Sequence, residues 1–239
     1  MVKGSRVDLY GGTDPRDAPS YTLPLAARIV GLPVSTLRSW IHGRPYPTAT
    51  GIRHAPSLIE AVSPDYLSFT NLVEAYVLAA MRREHGVRLD KVRSALSYVE
   101  RELSVARPLA REEFKTDGVD LFVERFGKLL NASRAGQVGI REALTGRLER
   151  VEYERRGRAV RLFPLSRASS SGEQPRNIVI DPCLGFGRPV IAGTGIRAAD
   201  VADRFRAGDS AAKLAKDYEV AVELIEDALR VAESTPEAA

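Results

Sequence analysis

Two short helical stretches joined by a glycine constrain this chain more than any other feature. Pro24 sits in the first turn of a helix over residues 25–30, Gly31 ends it, and Pro33 opens a second helix over 34–41 that Gly43 stops. Ala26 and Ala27 let the two helices approach closely, and the glycine permits a tight turn, which together give the spacing of a helix-turn-helix. On the second helix Leu37 and Ile41 lie four apart and face inward, leaving Ser35, Thr36, Arg38 and Ser39 outward. In a DNA-binding unit these polar residues enter the major groove, where arginine grips guanine or phosphate. Trp40 is expected under the helix rather than exposed for stacking. The next stretch, from Arg44-Pro45-Tyr46-Pro47 to Arg53-His54, is broken by prolines and glycine and reads as a loop with short extended parts. It lies where a wing would touch backbone phosphates, with Arg44, Tyr46 and Arg53 as the contacting residues. The competing reading is an ordinary packed helix pair.

The remaining punctuation divides the chain. Residues 1–20, with Gly11, Gly12, Pro15 and Pro19 among polar groups, read as a flexible arm. Ser68 caps a long helix through 71–81, closed by Glu84-His85-Gly86, and another starts at 89–96. Arg107-Pro108 stops that helical pattern, because proline disfavours helix in the residue before it. The middle, 108–168, changes period: 113–116, 119–124 and 128–131 read as short strands around Asp117-Gly118 and Gly127 turns. A helix over 137–148 and a hairpin of 150–154 with 159–164 follow. Ser169-Ser170-Ser171-Gly172-Glu173-Gln174-Pro175 lies in a linker, residues 169–176. Residues 177–239 open on the apolar run Ile178-Val179-Ile180 and a glycine-rich loop, and then form helices over 198–207, 210–218 and 222–234. The expected units are therefore 1–20, 21–107, 108–168, 169–176 and 177–239. The fold class is α+β: a winged helix-turn-helix, a small mixed α/β middle and a C-terminal tri-helical unit.

Charge separates the ends of the chain. Residues 1–107 carry 14 Lys/Arg against 10 Asp/Glu, residues 108–176 again 14 against 10, and residues 177–239 carry 7 against 11. The basic part is the better candidate for nucleic acid and the acidic part for another polypeptide. The last helix, in the position of a second recognition helix, sets Glu223, Glu226, Asp227 and Glu233 against Arg230, which opposes phosphate binding. Leu214, Tyr218, Leu224, Ile225 and Leu229 are then core or interface. No window holds the roughly 18 apolar residues of a membrane span. The first ten residues show no secretory signal, so the expected location is cytoplasmic. The single Cys183 forms no internal disulfide and no Cys/His cluster suits zinc. The glycines of 177–196 end in neither a phosphate-binding Gly-Lys-Ser/Thr nor the dinucleotide spacing. Asp117, Asp120 and Glu124 read as a solvated face, and His42, His54 and His85 lack metal-ligand spacing. No cofactor, metal or catalytic constellation is expected.

The helix-turn-helix, with Leu67-Ser68-Phe69-Thr70-Asn71-Leu72 and the arginine-rich run from Met81-Arg82-Arg83 to Lys91-Val92-Arg93, resembles the MerR-like winged-helix domains over about residues 20–103. Those regulators usually continue into a long dimerising coiled coil, which Pro108 and the strand-like middle interrupt here. Residues 177–196, from Asn177-Ile178-Val179-Ile180-Asp181-Pro182 to Gly193-Thr194-Gly195-Ile196, with the helices up to Ala232, resemble a short helical domain of unknown function associated with VapB-like antitoxins. As a whole the chain resembles the longer VapB-type antitoxins. That resemblance implies a VapC-type toxin, a PIN-domain ribonuclease blocked by direct binding, and operator DNA bound for autoregulation. It implies a non-enzymatic protein acting as a homodimer, since one short helix reads half of a palindromic site. A stand-alone MerR-like transcriptional regulator is the first alternative, and an enzyme with its site in 108–168 the second.

Overall fold

Thr22 leaves the short strand β1 (Tyr21–Thr22) and caps helix α1 (Leu23–Val30), its hydroxyl accepting from the Leu25 N–H, with Pro24 in the first turn. Gly31, at φ +73°, closes α1 in the left-handed conformation that glycine adopts without strain. Helix α2 (Val34–His42) follows and stops at Gly43. Strands β2 (Arg44–Thr48) and β3 (Gly51–Ala55) form an antiparallel hairpin, and β4 (Tyr66–Leu67) pairs with β1. The structure is a computed structural model that describes residues 11–48, 51–83, 89–130, 133–164 and 175–233. Ser68 and Asn71 start helix α3 (Phe69–Leu78) with a reciprocal capping box, each side chain accepting the other's N–H at 3.2 Å. A 3-10 turn, Ala79–Arg83, ends it, and the expected close at Glu84-His85-Gly86 lies outside the described residues.

Helix α4 (Leu89–Leu103) packs on α5 (Val119–Leu130), and α5 packs on α6 (Arg134–Leu148). The strands expected at 113–116, 119–124 and 128–131 are helical over their described residues, up to Leu130: a π-helical turn, Phe114–Gly118, runs into α5. The period decides it. Val119, Phe122, Val123 and Phe126 recur at helical spacing and are buried, with the Phe122 and Phe126 rings stacked 5.4 Å apart. Gly118 and Gly127, expected at turns, are sites of close approach. A Cβ at Gly118 would lie 2.7 Å from the Phe114 ring, and one at Gly127 2.7 Å from the Gln137 side chain on α6. The expected hairpin does form, as β5 (Val151–Tyr153) and β6 (Ala159–Leu162).

One apolar core runs from Tyr21 to Leu162 and takes in Ile180, so the boundary expected at Arg107 divides nothing in the packing. Arg107 in fact joins the two sides. Its guanidinium grips the buried Glu74 carboxylate of α3 with two bonds of 2.6 and 3.1 Å, while Asn71 donates to the same carboxylate at 3.0 Å and to the Glu60 carbonyl at 2.8 Å. Partial burial opposes the Arg107 charge, but the bonds to Glu74 outweigh it and raise the guanidinium above its ordinary value. The arm expected over 1–20 is likewise pinned from Asp14 onward. Arg158 bonds Asp14 (3.0 Å) and Asp17 (2.6 Å), and Arg16 bonds Asp14 and, across to β5–β6, Glu154.

The C-terminal unit has its own core. Strands β7 (Ile178–Val179) and β8 (Val190–Ile191) pair, and α7 (Ala198–Arg206), α8 (Ala211–Asp217) and α9 (Val222–Glu233) enclose Val201, Leu214, Ile225 and Leu229. Leu162 and Ile180 exchange backbone hydrogen bonds across the junction, and the buried Tyr21 hydroxyl donates to the Gly187 carbonyl at 2.8 Å. The buried Arg150 guanidinium donates to the carbonyls of Phe163, Pro164 and Pro175, gathering both banks of residues 165–174.

Arg107→Ala leaves the Glu74 carboxylate buried with only Asn71 against it. We expect a loss of about 3 kcal/mol, the low end for orphaning a buried charge because Arg107 is partly exposed, read from urea midpoints. A Glu74→Gln change added to Arg107→Ala should recover part of that loss. The Arg16 guanidinium holds the Asp14 carboxyl down to about 2 against partial desolvation, with the Arg16 N–H and Arg158 adding to the effect. A carboxyl depressed on folding stabilises above its unfolded value near 3.8 and loses that contribution as pH falls towards 2. Asp14→Asn should therefore unfold at lower urea than the parent at pH 6, with the gap narrowed at pH 3.

Candidate nucleic-acid interface

Helix α2 shows solvent one polar face. Leu37, Trp40 and Ile41 are buried, while Ser35, Arg38 and His42 are exposed at positions one and two turns apart. Thr36 and Ser39 are half-buried, and the Ser39 hydroxyl donates to the Thr36 carbonyl at 2.7 Å. The side chains of the six candidates other than Ser39 make no such internal bond among the described residues. His42, weighed in the sequence only as a metal ligand, is not among the expected DNA-contacting residues. Its place seven residues after Ser35, on the same face, is the signal that marks it.

The wing is a regular hairpin rather than a loop with short extended parts. Its base is fixed to α2 at two points. Gly43, at φ +70°, passes so close to the returning strand that a Cβ there would lie 2.0 Å from the Ala55 carbonyl oxygen. The Trp40 carbonyl accepts from the N–H groups of Leu58 (2.6 Å) and Ile59 (3.0 Å), just beyond β3. Arg93 of α4 braces the same base by donating to the carbonyls of Pro56 and Ser57. Beyond this base the hairpin stands in solvent: Arg44, Tyr46 and Arg53 are exposed, and the register places Tyr46 directly opposite Arg53. Arg38, Arg44 and Arg53 thus come together on one helix and the hairpin that springs from its end.

These arginines differ electrostatically from those on and beside α7 and α9. Among the described residues Arg28, Arg38, Arg44 and Arg53 make no ion pair, and the sequence has no Asp or Glu between Asp17 and Glu60. In the C-terminal unit Arg197 pairs with Asp200, Arg204 with Asp209 and Asp217, Arg206 with Asp203, and Arg230 with Glu226 and Asp227. Uncompensated guanidinium groups attract phosphate, whereas paired ones do not present net charge. Asp227, read as part of an acidic face, is buried instead and accepts from the Asn177 amide at 2.7 Å. Glu223 and Glu226 do lie exposed on α9.

The other candidate chemistries separate in space. Asp117, Asp120 and Glu124 are exposed on the π-turn and α5, with Asp120 paired to Arg141 and Glu124 to Lys128. Among the described residues no group of three His, Cys, Asp or Glu is placed to hold a metal, and no helix is long and apolar enough to cross a membrane. Desolvation and the neighbouring Asp181 push the exposed Cys183 thiol up, away from thiolate chemistry.

Two family models match the two ends. One described as "Putative DNA-binding HTH domain" covers residues 19–96, and one described as "Protein of unknown function (DUF433)" covers 178–232. "Putative antitoxin VapB45" of Mycobacterium tuberculosis strain H37Rv is 31% identical over 231 residues, spanning 89% of this chain and 93% of that protein. "Uncharacterized protein Rv2308" of the same strain is 26% identical over 223 residues, spanning 89% and 90%. The crystal structure of Rv2018 from Mycobacterium tuberculosis matches with a TM-score of 0.66 at 27% identity, covering 89% of this chain and 98% of that one.

With α2 docked in a major groove, Arg38→Ala should cost about 1–3 kcal/mol of binding and relax preference at one base position. Arg53→Ala, on the wing, should weaken all sequences alike and lower the salt slope by about one. Titrations at several salt concentrations against a selected duplex and its single-base variants separate the two. Equal, sequence-blind losses at both positions would move base reading off α2.

Proposed function

Because the chain belongs to the family of the antitoxin VapB45, with a helix-turn-helix DNA-binding domain at its head, we propose that it is the antitoxin of a type II toxin–antitoxin pair. In this reading it neutralises a VapC-type PIN-domain ribonuclease by direct binding and holds operator DNA to regulate its own operon. The observation that carries the reading is the division of charge: unpaired arginines on α2 and the wing, and internally paired ones on α7 and α9. The first surface suits phosphate and base edges, through Ser35, Thr36, Arg38, Arg44, Tyr46 and Arg53; Ser39 contributes only as an acceptor, since its proton is committed to Thr36. The second suits a polypeptide.

Within the C-terminal unit the toxin-facing side centres on the loop before β8. Phe186 is 68% exposed there and stands in a run of three left-handed residues, Gly185, Phe186 and Gly187. A non-glycine residue in that conformation is strained by about 1–2 kcal/mol, and the Tyr21 bond to the Gly187 carbonyl holds the turn in place. Leu184 is exposed beside it. An apolar knob kept in water by a strained turn is a protein-contact feature. The neutralisation is steric: the antitoxin covers the acidic metal site of the ribonuclease. Two copies act together, because one α2 reads half of a palindromic operator.

Co-expression with the nuclease encoded next to this chain provides the test. A stable complex is expected, with RNA cleavage by the nuclease alone and none when the chain is present in equal amount. Phe186→Asp should weaken that complex while leaving DNA binding as it was. Cleavage that continues unchanged at stoichiometric antitoxin, with the two proteins eluting apart, would overturn the assignment. RNA cleavage by this chain alone would favour an enzyme instead.

A further inference from the structure

The wing has two unlike faces. Residues directly opposite in an antiparallel pair point to the same side. The register Arg44 to Ala55 and Tyr46 to Arg53 therefore gathers the cationic and aromatic residues on one face, while Pro45 to His54 and Pro47 to Ile52 gather two prolines, the histidine and the isoleucine on the other. At 80% exposure Ile52 is the most exposed large hydrophobic side chain among the described residues, and it sits at the end of the strand pair far from Gly43. Neither the packing of the wing nor its phosphate-contacting face accounts for it.

We infer that Ile52 is a wedge that enters the minor groove next to the major groove occupied by α2 and parts a base step there. The inference rests on the DNA-binding reading above and goes beyond it by assigning the apolar face of the wing. Reach supports it. A five-residue strand spans about 17 Å, and β2 starts directly after Gly43 at the end of α2. That length is about half of the roughly 34 Å helical repeat, the distance from one groove to the next. Width supports it too, since a minor groove about 6 Å across admits a hairpin edge but no helix. Exposed isoleucine and proline are the side-chain types that unstack base steps from the minor groove and bend the duplex.

Charge and backbone chemistry favour DNA over a protein occupant. Arg44 and Arg53 on the opposite face are free of carboxylates and positioned for the phosphates that flank a minor groove. A partner chain that added a strand to the wing would need a continuous ladder of N–H groups. Pro45 and Pro47 remove two of the five that β2 would otherwise carry.

The full-length protein is used to select duplexes from a random-sequence library, and the selected duplex is remade with 2-aminopurine at successive positions. Binding of the parent protein should raise 2-aminopurine fluorescence several-fold at one step per half-site and bring labelled DNA ends closer. Ile52→Ala, an exposed substitution that leaves the core untouched, should abolish both signals and weaken binding about tenfold. It should leave the salt slope unchanged, because no cation is lost. Ile52→Phe should restore the fluorescence signal. If Ile52→Ala binds and bends the selected duplex like the parent, the wedge is refuted and the DNA-binding reading stands. If Ile52→Ala keeps DNA binding but releases the co-expressed nuclease, the apolar face is a protein contact and the wedge is refuted as well. If the parent protein enriches no sequence, the DNA-binding reading itself fails and the wedge with it.

Discussion

The buried carboxylate of Glu74 is the constraint around which the larger unit is arranged. A charge withdrawn from water needs donors, and here they come from two parts of the chain, Arg107 after α4 and Asn71 one turn earlier in α3, while the same Asn71 amide also donates to the Glu60 carbonyl after the wing. Asn71 also closes the cap of α3 on Ser68. One side-chain network thus sets the start of α3, the path of the chain returning from the wing and the point where the middle segment begins. The apolar core from Tyr21 to Leu162 fills the space so defined. Hydrophobic burial supplies most of the stabilising free energy, but it is non-directional, and the polar network fixes which arrangement is adopted.

Several arginines that tie the fold together are neutralised by carboxylates, whereas those on α2 and the wing meet none among the described residues. Arg16 and Arg158 lock the residues before β1 onto the β5–β6 hairpin, and Arg204 sits between Asp209 and Asp217 with its guanidinium over the Tyr218 ring. Around α2 and the wing no acidic residue is available for that role, since none occurs between Asp17 and Glu60. Fixed positive charge therefore accumulates on α2 and the wing.

Much of this was legible in the sequence, for reasons that are local. The ends of α1 and α2 follow from Pro24, Gly31 and Gly43, and the start of α3 from Ser68. The breaks between the C-terminal helices follow from Gly208 and from Glu219-Val220, where Glu219 is left-handed. The middle segment was misread because its glycines suggested turns while its period was helical. Gly118 and Gly127 are there for tertiary closeness, which no local rule reveals. The same holds for Gly187, where a Cβ would lie 2.4 Å from the Tyr21 hydroxyl, and for Asp227, whose partner Asn177 is fifty residues away. On the candidate interface the common face of the expected residues was not readable. That Arg44, Tyr46 and Arg53 share one side of the wing depends on the strand register, which is set by the contacts of Gly43 and Trp40 at its base.

The Arg150 guanidinium holds the carbonyls of Phe163 and Pro164 on one side and of Pro175 on the other. The two units meet where that grip, the Leu162–Ile180 pairing and the Tyr21–Gly187 bond put them, so contacts outside the connection set their alignment. Natural selection is consequently free to lengthen, shorten or rewrite that connection. Homologues should tolerate insertions there more readily than anywhere else between the two ends.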